Sequence, residues 1–393
     1  MLGLACLAGA AVASDPADEA MVGKALFHRL WVPAPTRTNA ADGLGPLFNA
    51  RSCADCHKDG GPSITRLGLD GQLEIVGTIF RIAGPSGQPH PWYGRELQTG
   101  SVPGLAAEAS ARRRLATPGE AAWSDVHLLG PELGPGYRIG PRVAPSLLGR
   151  WRLEQVAESA ILEQGSAEAQ RRLGLSGRAR VVVTKGGSTT GRFGWKASQA
   201  SLADQVAAAF ATDLGLSTPR RPEPYGDCTP QQTSCLAMPN GESPAFDGRE
   251  VSDAMLGMVV RYVATIDAPR APAPPNGEAL LAAVGCTACH VPRMPTQAGG
   301  TVEIFSDLLL HNMGLGLDDG VAEPGAASAE WRTAPLLDLW TRGGHRRYLH
   351  DGRSGSLADA IAWHDGEARA SRQAFESLTA ADRQALIRYL ETL

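Results

Sequence analysis

The pattern Cys-x-x-Cys-His occurs once in each half of the chain, at Cys53–His57 and at Cys286–His290. This pattern is typical of c-type haem attachment. Two thiols one short turn apart can add to the two vinyl groups of a porphyrin, and the histidine that follows then lies beneath the ring, where its imidazole can bind iron. The two motifs predict two covalently bound haem c groups. The residues that would hold them are Cys53, Cys56, Cys286 and Cys289 as attachment sites, with His57 and His290 as iron ligands.

Two other uses of paired cysteines fit the sequence less well. A zinc ribbon places its two Cys-x-x-Cys pairs roughly 15–20 residues apart, whereas these pairs lie in different halves of the chain. A thioredoxin-like dithiol needs a βαβ context, and no such context is evident around either motif. The sequence therefore favours haem over a zinc or dithiol centre.

Length and composition narrow the class of protein. A chain of 393 residues is too long for one small cytochrome domain, and length alone allows two or three domains. An apolar share of 43% supports a globular core, while Gly 46 and Pro 28 predict long irregular connections. The net charge of -4 does not indicate a nucleic-acid partner.

The first residues resemble a secretory signal. Leu2–Val12 is apolar and mostly small, and Ala11–Ala13 resembles a cleavage site, although no basic region precedes them. We assign residues 1–13 to a signal segment and expect a periplasmic protein, because haem c is attached outside the bacterial cytoplasm. A lipid anchor at Cys6 is disfavoured, since the residues before it match a lipobox poorly. No stretch reaches about 18 apolar residues, so we do not expect an integral membrane protein.

Cys228 and Cys235 are two further cysteines, and both lie in a polar loop. In an oxidising compartment they would form a small disulfide. A free pair of thiols is the alternative.

Periodicity places a helix before each haem motif. The remaining predictions are four further helices, of which the last is capped by Thr379, and one strand in a Gly- and Pro-rich region. The predicted helices cover Met21–Trp31, Leu153–Gln164, Leu202–Leu214, Glu250–Ile266, Asn276–Val284 and Thr379–Leu393, and the strand covers Leu73–Ile82.

An internal repeat relates the two halves. Besides the haem motifs, three short matches recur in the same order, and the distance between partners shrinks along the chain. The second copy is therefore the same unit with shorter insertions. The matches are Arg142–Leu148 with Arg332–Asp338, Ser201–Asp204 with Ser356–Asp359, and Val260–Ile266 with Ile387–Leu393.

The repeat predicts a mainly α fold of two cytochrome c-like domains, with long irregular insertions and minor β structure in the first. The first haem domain covers residues 14–268 and the second covers residues 276–393. A Pro-rich linker, residues 269–275, separates them, because proline at this density cannot continue a helix.

Five segments resemble those of a known family. They are Gly45–Cys53, Gly191–Ala197, Ser306–Gly314, Glu330–Pro335 and Leu349–Arg353. They look like the di-haem oxidoreductase, or thiol oxidoreductase-like, family, which is related to bacterial di-haem cytochrome c peroxidases and to MauG-type enzymes. The resemblance covers nearly all of the chain after the signal segment. It implies a periplasmic two-domain enzyme in which one haem is peroxidatic and the other relays electrons.

The sixth iron ligand decides which haem reacts, since a filled site favours electron transfer and an open site admits peroxide. In the related peroxidases the electron-transfer haem takes this ligand from a helix after a His-Asp-Gly motif, and the matching residue here is His364. The equivalent residue of the first half is Ala209, which cannot bind iron. The C-terminal haem is then the electron-transfer haem, and the N-terminal haem is the reactive one, with its sixth site open or filled by a movable residue such as His90.

Three other side chains compete with His364 as the ligand. Met294 is too close to His290 to reach the opposite face easily, while His311 and Met313 fall in a family motif and fit a pocket lining better. A surface role for His364 is the further alternative.

Peroxide chemistry needs a distal group that moves a proton between the two oxygens, and a polar donor that steadies the developing charge. In the related peroxidases a glutamate and a glutamine have these roles, and the matching residues are Asp213 and Gln205. Asp213 is one methylene shorter than glutamate, and both residues could instead be ordinary polar helix positions. Arg332 and Arg353 are candidate partners of haem propionates, because a guanidinium matches a carboxylate bidentately.

The sequence thus predicts a di-haem peroxidase-like oxidoreductase that uses hydrogen peroxide or a similar oxidant and exchanges electrons with a small redox protein. The alternatives are a MauG-type oxidase of a partner protein, an electron carrier without catalytic activity, and an oxygenase of the rubber-cleaving kind. The contrast between Ala209 and His364 favours an enzyme, because a carrier does not need an open haem. Trp92, Trp195 and Trp331 are candidates for an aromatic relay of electrons between the haems.

Overall fold

The computed structural model describes residues 15–37, 41–115, 122–267, 272–339 and 346–393. The predicted signal segment 1–13 and residues 269–271 of the predicted linker lie outside these ranges. In the ranges described, no helix has both the length and the apolar character needed to cross a membrane.

The helices of the described ranges are mostly short, and the longest have 13 residues. In chain order they are α1 (Pro16–His28), α2 (Cys53–Cys56), α3 (Arg152–Gln155), α4 (Glu158–Gln164), α5 (Ala167–Leu173), α6 (Leu202–Asp213), α7 (Thr233–Leu236), α8 (Asp253–Thr265), α9 (Gly277–Ala283), α10 (Leu357–Ala362), α11 (Arg369–Glu376) and α12 (Ala380–Leu390).

The strands are shorter still. They are β1 (Val32–Pro33), β2 (Asp42–Leu44), β3 (Leu47–Phe48), β4 (Thr65–Leu67), β5 (Leu73–Ile75), β6 (Thr78–Ala83), β7 (Glu96–Leu97), β8 (Gly100–Ser101), β9 (Ala109–Leu115), β10 (Trp123–Leu128), β11 (Arg138–Val143), β12 (Val181–Thr184), β13 (Gly187–Thr190), β14 (Arg293–Pro295), β15 (Thr301–Glu303), β16 (Leu310–Asn312) and β17 (Glu330–Arg332).

The prediction of a mainly α fold is wrong. The structure is 31% helical and 22% strand, which makes it a mixed α/β fold. The larger sheets have the strand orders β10-β9-β5-β4 and β11-β6-β7, and other strands form two-stranded sheets. The insertions that the sequence predicts to be irregular form these sheets instead. Buried backbone N–H and C=O groups need hydrogen-bond partners, and strand pairing supplies them.

The two repeats share one helix pairing. α1, ahead of the first haem motif, packs on α8, and α9, ahead of the second, packs on α12. Both crossings depend on a glycine. A Cβ at Gly23 would lie 1.9 Å from the carbonyl oxygen of Met258, and one at Gly277 would lie 2.2 Å from the Cβ of Tyr389. This close approach holds each helix pair together beside its haem motif.

The identical Ser-Leu-Ala-Asp segments begin equivalent helices. The hydroxyl of Ser201 accepts from the N–H of Asp204 at 3.1 Å at the start of α6, and Ser356 accepts from Asp359 at the same distance at the start of α10. This repeated segment is therefore a helix N-cap. Thr379 caps α12 in the same way, as predicted, by accepting from Asp382 at 3.1 Å.

Two predicted elements are divided in the structure. Helix Leu153–Gln164 becomes α3 and α4, because the chain between them pairs with the strand region near Thr296, where the N–H of Ala157 donates to Pro295 at 2.9 Å. Strand Leu73–Ile82 becomes β5 and β6, which belong to different sheets. The predicted Cys228–Cys235 disulfide is present.

The described residues contain two main apolar clusters. The smaller is formed by residues from Leu281 to Leu393. The larger combines α1, α6 and α8 with residues that follow the second haem motif, among them Met294 and Leu309. The two halves therefore share part of their core, and the domain boundaries at 14–268 and 276–393 remain predictions.

Candidate haem sites and their surroundings

The first Cys-x-x-Cys pair forms one helical turn, α2. Its start is capped reciprocally: the hydroxyl of Ser52 accepts from the N–H of Asp55 at 3.2 Å, and the carboxylate of Asp55 accepts from the N–H of Ser52 at 3.1 Å. This cap holds Cys53 and Cys56 on the same short turn, with both thiols free and partly buried. The local sequence alone is enough to build this geometry.

His57 follows this turn as a neutral imidazole. Burial lowers the pKa of His57 to about 4, against an opposing effect of the backbone of Gly61 and Pro145. Its Nδ1 is buried and has no hydrogen-bond partner within the described part of the chain. A neutral imidazole with an unpartnered ring nitrogen is the form that can bind iron.

The second motif ends in a histidine that is oriented by the backbone. Nδ1 of His290 donates to the carbonyl of Phe305 at 3.1 Å, and burial lowers the pKa of His290 to about 4. Histidine ligands of metals characteristically donate one ring N–H to a carbonyl and bind the metal through the other nitrogen. The bond to Phe305 leaves Nε2 of His290 for that purpose.

His364 lies two residues beyond the end of α10. Its Nδ1 donates to the carbonyl of Ala360 at 2.8 Å, and burial lowers the pKa of His364. A charge on His364 would also lower the pKa of His290, so the two imidazoles interact electrostatically. This interaction links the two histidines that the sequence predicts for the C-terminal haem.

The rival ligands have other roles in the structure. Nε2 of His311 lies 2.9 Å from a carboxylate oxygen of Asp307, and Nδ1 lies 3.0 Å from one of Glu367. Burial opposes a charge on this ring, but these carboxylates raise the pKa of His311 to about 12. A doubly donating imidazolium has no lone pair for iron. Met294 is fully buried in the larger apolar cluster.

His90 has no free nitrogen either. Its Nε2 donates to the carbonyl of Leu133 at 3.0 Å, and its Nδ1 accepts from the N–H groups of Trp92 and Tyr93, each at 3.1 Å. These bonds tie His90 to its own loop, so it would need to break them before it could reach iron.

In the first half, the helix face that corresponds to His364 carries three residues. Gln205, Ala209 and Asp213 recur every four residues along α6, so they lie on one side of it. Burial raises the pKa of Cys53 and of Cys56, and the charge of Asp213 is the next largest cause. The backbone carbonyl of Asp213 accepts from the N–H groups of Asn49 and Ala50, at 2.8 and 3.0 Å, so Asp213 lies beside the segment that leads into the first haem motif.

Glu96 is a residue of this site that the sequence did not reveal. It lies in β7, is fully buried, and accepts from Nδ2 of Asn49 at 2.9 Å and from Nη1 of Arg81 at 3.2 Å. Its carboxyl also forms a hydrogen bond with that of Asp213. Nothing in the local pattern around a lone glutamate in a two-residue strand indicates such a contact.

Buried arginines are concentrated near the repeated segments Arg142–Leu148 and Arg332–Asp338. Arg332 is buried and donates to the carbonyls of Gly194 and Thr333, at 3.0 and 3.1 Å. Burial lowers the pKa of Arg150 to about 9, and the charges of Arg332 and Arg346 lower it further, with one carboxylate, that of Asp338, opposing them. Such an excess of buried cations is suited to an anionic partner.

Arg353, the other predicted propionate partner, is engaged elsewhere. Its Nε lies 2.8 Å from the carboxylate of Asp351, and its guanidinium lies 4.7 Å from the ring centroid of Trp363. The structure thus groups Arg332 with Arg150 rather than with Arg353.

The ring of Trp331 packs against an imidazole and an ammonium group. Its ring stacks on His350 with centroids 3.8 Å apart, and Nζ of Lys196 lies 3.7 Å from its centroid. Burial, and then Arg142, lower the pKa of Lys196 to about 7. Trp195 is instead tied by its N–H to the carbonyl of Val143 at 2.9 Å.

Comparison with known proteins agrees with this geometry. A family model described as "Di-haem oxidoreductase, putative peroxidase" matches residues 132–393. The chain belongs to this di-haem oxidoreductase family. The match makes it an oxidoreductase of a haem-binding family, and it includes the second haem motif but not the first.

Other comparisons add little. No curated protein matches the chain. A solved structure, "Kuenenia stuttgartiensis Hydrazine Synthase Pressurized with 20 bar Xenon", matches at 20% identity with a TM-score of 0.25, and the match covers 38% of this chain and 58% of that chain. A likeness this low carries no argument about fold or function.

The residues of this di-haem oxidoreductase fit haem on structural grounds. Each motif presents two free, partly buried thiols. His57 has a buried nitrogen without a partner within the described ranges, and His290 keeps Nε2 available. The Arg150–Arg332 group supplies buried positive charge that would match propionates. These three features are what covalent attachment, iron ligation and propionate binding require.

Proposed function

We propose that the chain is a periplasmic enzyme with two covalently bound haem c groups, which reduces hydrogen peroxide or a similar oxidant at the N-terminal haem. The second motif, with His290, would hold a haem that supplies electron transfer from a small redox protein. The observation that carries this proposal is the difference between the two helix faces. In the second half, the helix region after Ser356 carries His364, whose charge acts on His290, whereas the matching face of α6 holds Ala209 between Gln205 and Asp213.

The proposed reaction is the reduction of hydrogen peroxide to two waters, which consumes two electrons and two protons. Bound haem supplies the redox-active iron. Asp213 would hold and move a proton, because burial raises its pKa to about 6, near neutral pH, where a general acid–base works best. Gln205 would donate a hydrogen bond to the oxygen that gains charge.

In the second half, His290 and His364 would hold the C-terminal haem. A haem with two protein ligands transfers electrons without opening a site for peroxide. The Arg150–Arg332 group would bind propionates, and Trp331, between His350 and Lys196, is a reasonable aromatic relay between the two haems.

The first test is a low-temperature EPR spectrum of the oxidised, haem-loaded protein. We expect one high-spin and one low-spin haem. In His364→Ala the low-spin signal should become high-spin, because the C-terminal haem loses its sixth ligand.

His90→Ala is the matched control, since both ring nitrogens of His90 are engaged within its own loop, and it should leave both signals unchanged. Two low-spin haems in the wild type would instead indicate an electron carrier. An unchanged low-spin signal in His364→Ala would remove His364 as the ligand.

A further inference from the structure

We propose that Glu96 is a positioning residue of the N-terminal haem site, which holds one proton jointly with Asp213 and receives it from a surface cleft at Asp227. This inference rests on the proposed function, because Asp213 is the group that would exchange the proton with peroxide. It adds a second carboxyl group and a source of protons to that site.

Elementary hydrogen bonding requires the shared proton. Ionised carboxylates only accept hydrogen bonds, so two carboxyl groups can be bonded to each other only if one of them is protonated. Burial raises the pKa of both carboxyl groups, so the pair retains a proton more readily than two exposed carboxyl groups would. The pair holds this proton jointly.

The charges around the pair are consistent with one proton. Burial and the charge of Asp213 raise the pKa of Glu96, and Arg81 opposes them. With one proton the pair carries one negative charge, which the one guanidinium of Arg81, 3.2 Å from Glu96, balances. Asp227, Glu108 and the thiol of Cys56 are the other titratable groups that interact with Glu96.

Glu96 lies where a proton from solvent can reach the pair. A carboxylate oxygen of Asp227 accepts from the N–H of Glu96 at 3.0 Å and from that of Arg95 at 2.5 Å. Asp227 also lines a surface cleft of about 340 Å³, together with Arg95 and residues of the disulfide loop. Asp227 thus lies between the cleft and the backbone of Glu96, and its charge interacts with that of the Glu96 carboxyl. The carboxyl of Glu96 in turn contacts that of Asp213.

Each transfer in this line is a simple proton exchange. The pair gives its shared proton, through Asp213, to the leaving oxygen of peroxide, and Glu96 then takes a new proton from water in the cleft by way of Asp227. Two such transfers supply the two protons that each peroxide consumes. No oxidant or reductant is involved in these steps. The resting state, with one proton on the pair, is restored after each turnover.

The first experiment reads the proton directly and does not depend on activity. The infrared difference spectrum between wild type and Glu96→Gln, recorded near neutral pH on the haem-loaded protein, should show the loss of one C=O stretching band of a protonated carboxyl group. Glu108→Gln is the matched control. Burial raises the pKa of Glu108 to about 8, so this variant should lose a different band and keep that of the pair.

The second experiment separates a proton role from a structural one. Glutamine keeps the length and hydrogen bonds of Glu96 but cannot release a proton, whereas aspartate can. We expect peroxide reduction to fall about 10–100-fold in Glu96→Gln, and to recover in part in Glu96→Asp. Asp227→Asn should slow turnover and give a larger solvent isotope effect.

The outcomes are decisive in each case. If Glu96→Gln loses no infrared band, Glu96 is ionised and the inference is wrong. If Glu96→Gln is as active as wild type, or more active than Glu96→Asp, the role is structural only. If the wild-type protein reduces no peroxide but the band is lost, the proposed function fails while the shared proton stands.

Discussion

At the scale of single residues, His311 has the most unusual electrostatic environment among the sequence-predicted ligands. Two carboxylates, those of Asp307 and Glu367, hold its ring nitrogens. Burial opposes the charge of His311, but these contacts raise the pKa of His311 to about 12. Burial also opposes the charge of Glu367, but the contact with His311 helps to lower the pKa of Glu367 to about 2. The sequence shows a histidine in a family motif, but only the folded chain reveals the two carboxylates that favour its charged form, in which the ring has no lone pair for iron.

This pairing predicts a pH-dependent contribution to the free energy of unfolding. The raised pKa of His311 stabilises the fold fully below about pH 6.5, and this stabilisation decreases as the pH rises above that value. The lowered pKa of Glu367 stabilises the fold fully above about pH 4.3, and this stabilisation decreases as the pH falls below that value. The difference in unfolding free energy between wild type and His311→Gln should therefore be largest between about pH 4.3 and 6.5. Above that window it should shrink by at most about 1.4 kcal/mol per pH unit.

Urea denaturation followed by circular dichroism at several pH values measures this difference. His127→Gln is the control, because His127 forms an ion pair with Asp125 while 74% of its side chain is exposed, and its effect on the unfolding free energy should be small. A constant difference between wild type and His311→Gln from about pH 5 to 9 would contradict the prediction.

At the scale of elements, the helices were more predictable than the strands. α6 and α8 lie within one to three residues of their predicted ends, because an N-cap serine and an apolar face are local signals. β9 escaped detection. Its inward positions include Arg113, which interrupts the apolar alternation and is buried only because it pairs with Asp351, far along the chain.

The helix crossings give a prediction at this scale. In Gly277→Ala the new methyl group would lie 2.2 Å from the Cβ of Tyr389, so α9 and α12 must separate. We expect a loss of about 1–3 kcal/mol in the free energy of unfolding, as for other overpacked sites.

Gly257→Ala is the matched control within α8, because nothing lies within 4 Å of its added methyl group. It should leave stability unchanged or raise it by about 0.5–1 kcal/mol, since alanine favours helix over glycine. Thermal unfolding of both variants decides the matter. Equal effects of the two substitutions would mean that the α9–α12 contact does not depend on Gly277.

At the scale of the whole molecule, buried ion pairs join segments that are distant in sequence. Nη2 of Arg113 in β9 lies 2.8 Å from a carboxylate oxygen of Asp351, and both side chains are almost completely buried. This pair connects the four-stranded sheet of the first half to the family segment Leu349–Arg353 in the second. The halves are therefore linked by electrostatics as well as by a shared apolar cluster.

Breaking this pair should be costly. Asp351→Asn leaves Arg113 buried without its counter-charge, and we expect a loss of about 3–5 kcal/mol in stability. Glu74→Gln breaks the pair between Glu74 and Arg66, whose side chain is 62% exposed, and should cost about 0–1 kcal/mol. Denaturant midpoints of the two variants test this contrast, and a loss in Asp351→Asn no larger than in Glu74→Gln would refute it.

The haem motifs, the N-caps and the repeat were determined by the sequence alone, because each depends on side chains a few residues apart whose geometry the local backbone sets. The mixed α/β fold, the partners of His311 and the contact between Glu96 and Asp213 were decided only by the tertiary structure. Each depends on burial and on pairing between segments separated by long insertions, and the free energy of a buried charge is set by neighbours that no local pattern identifies.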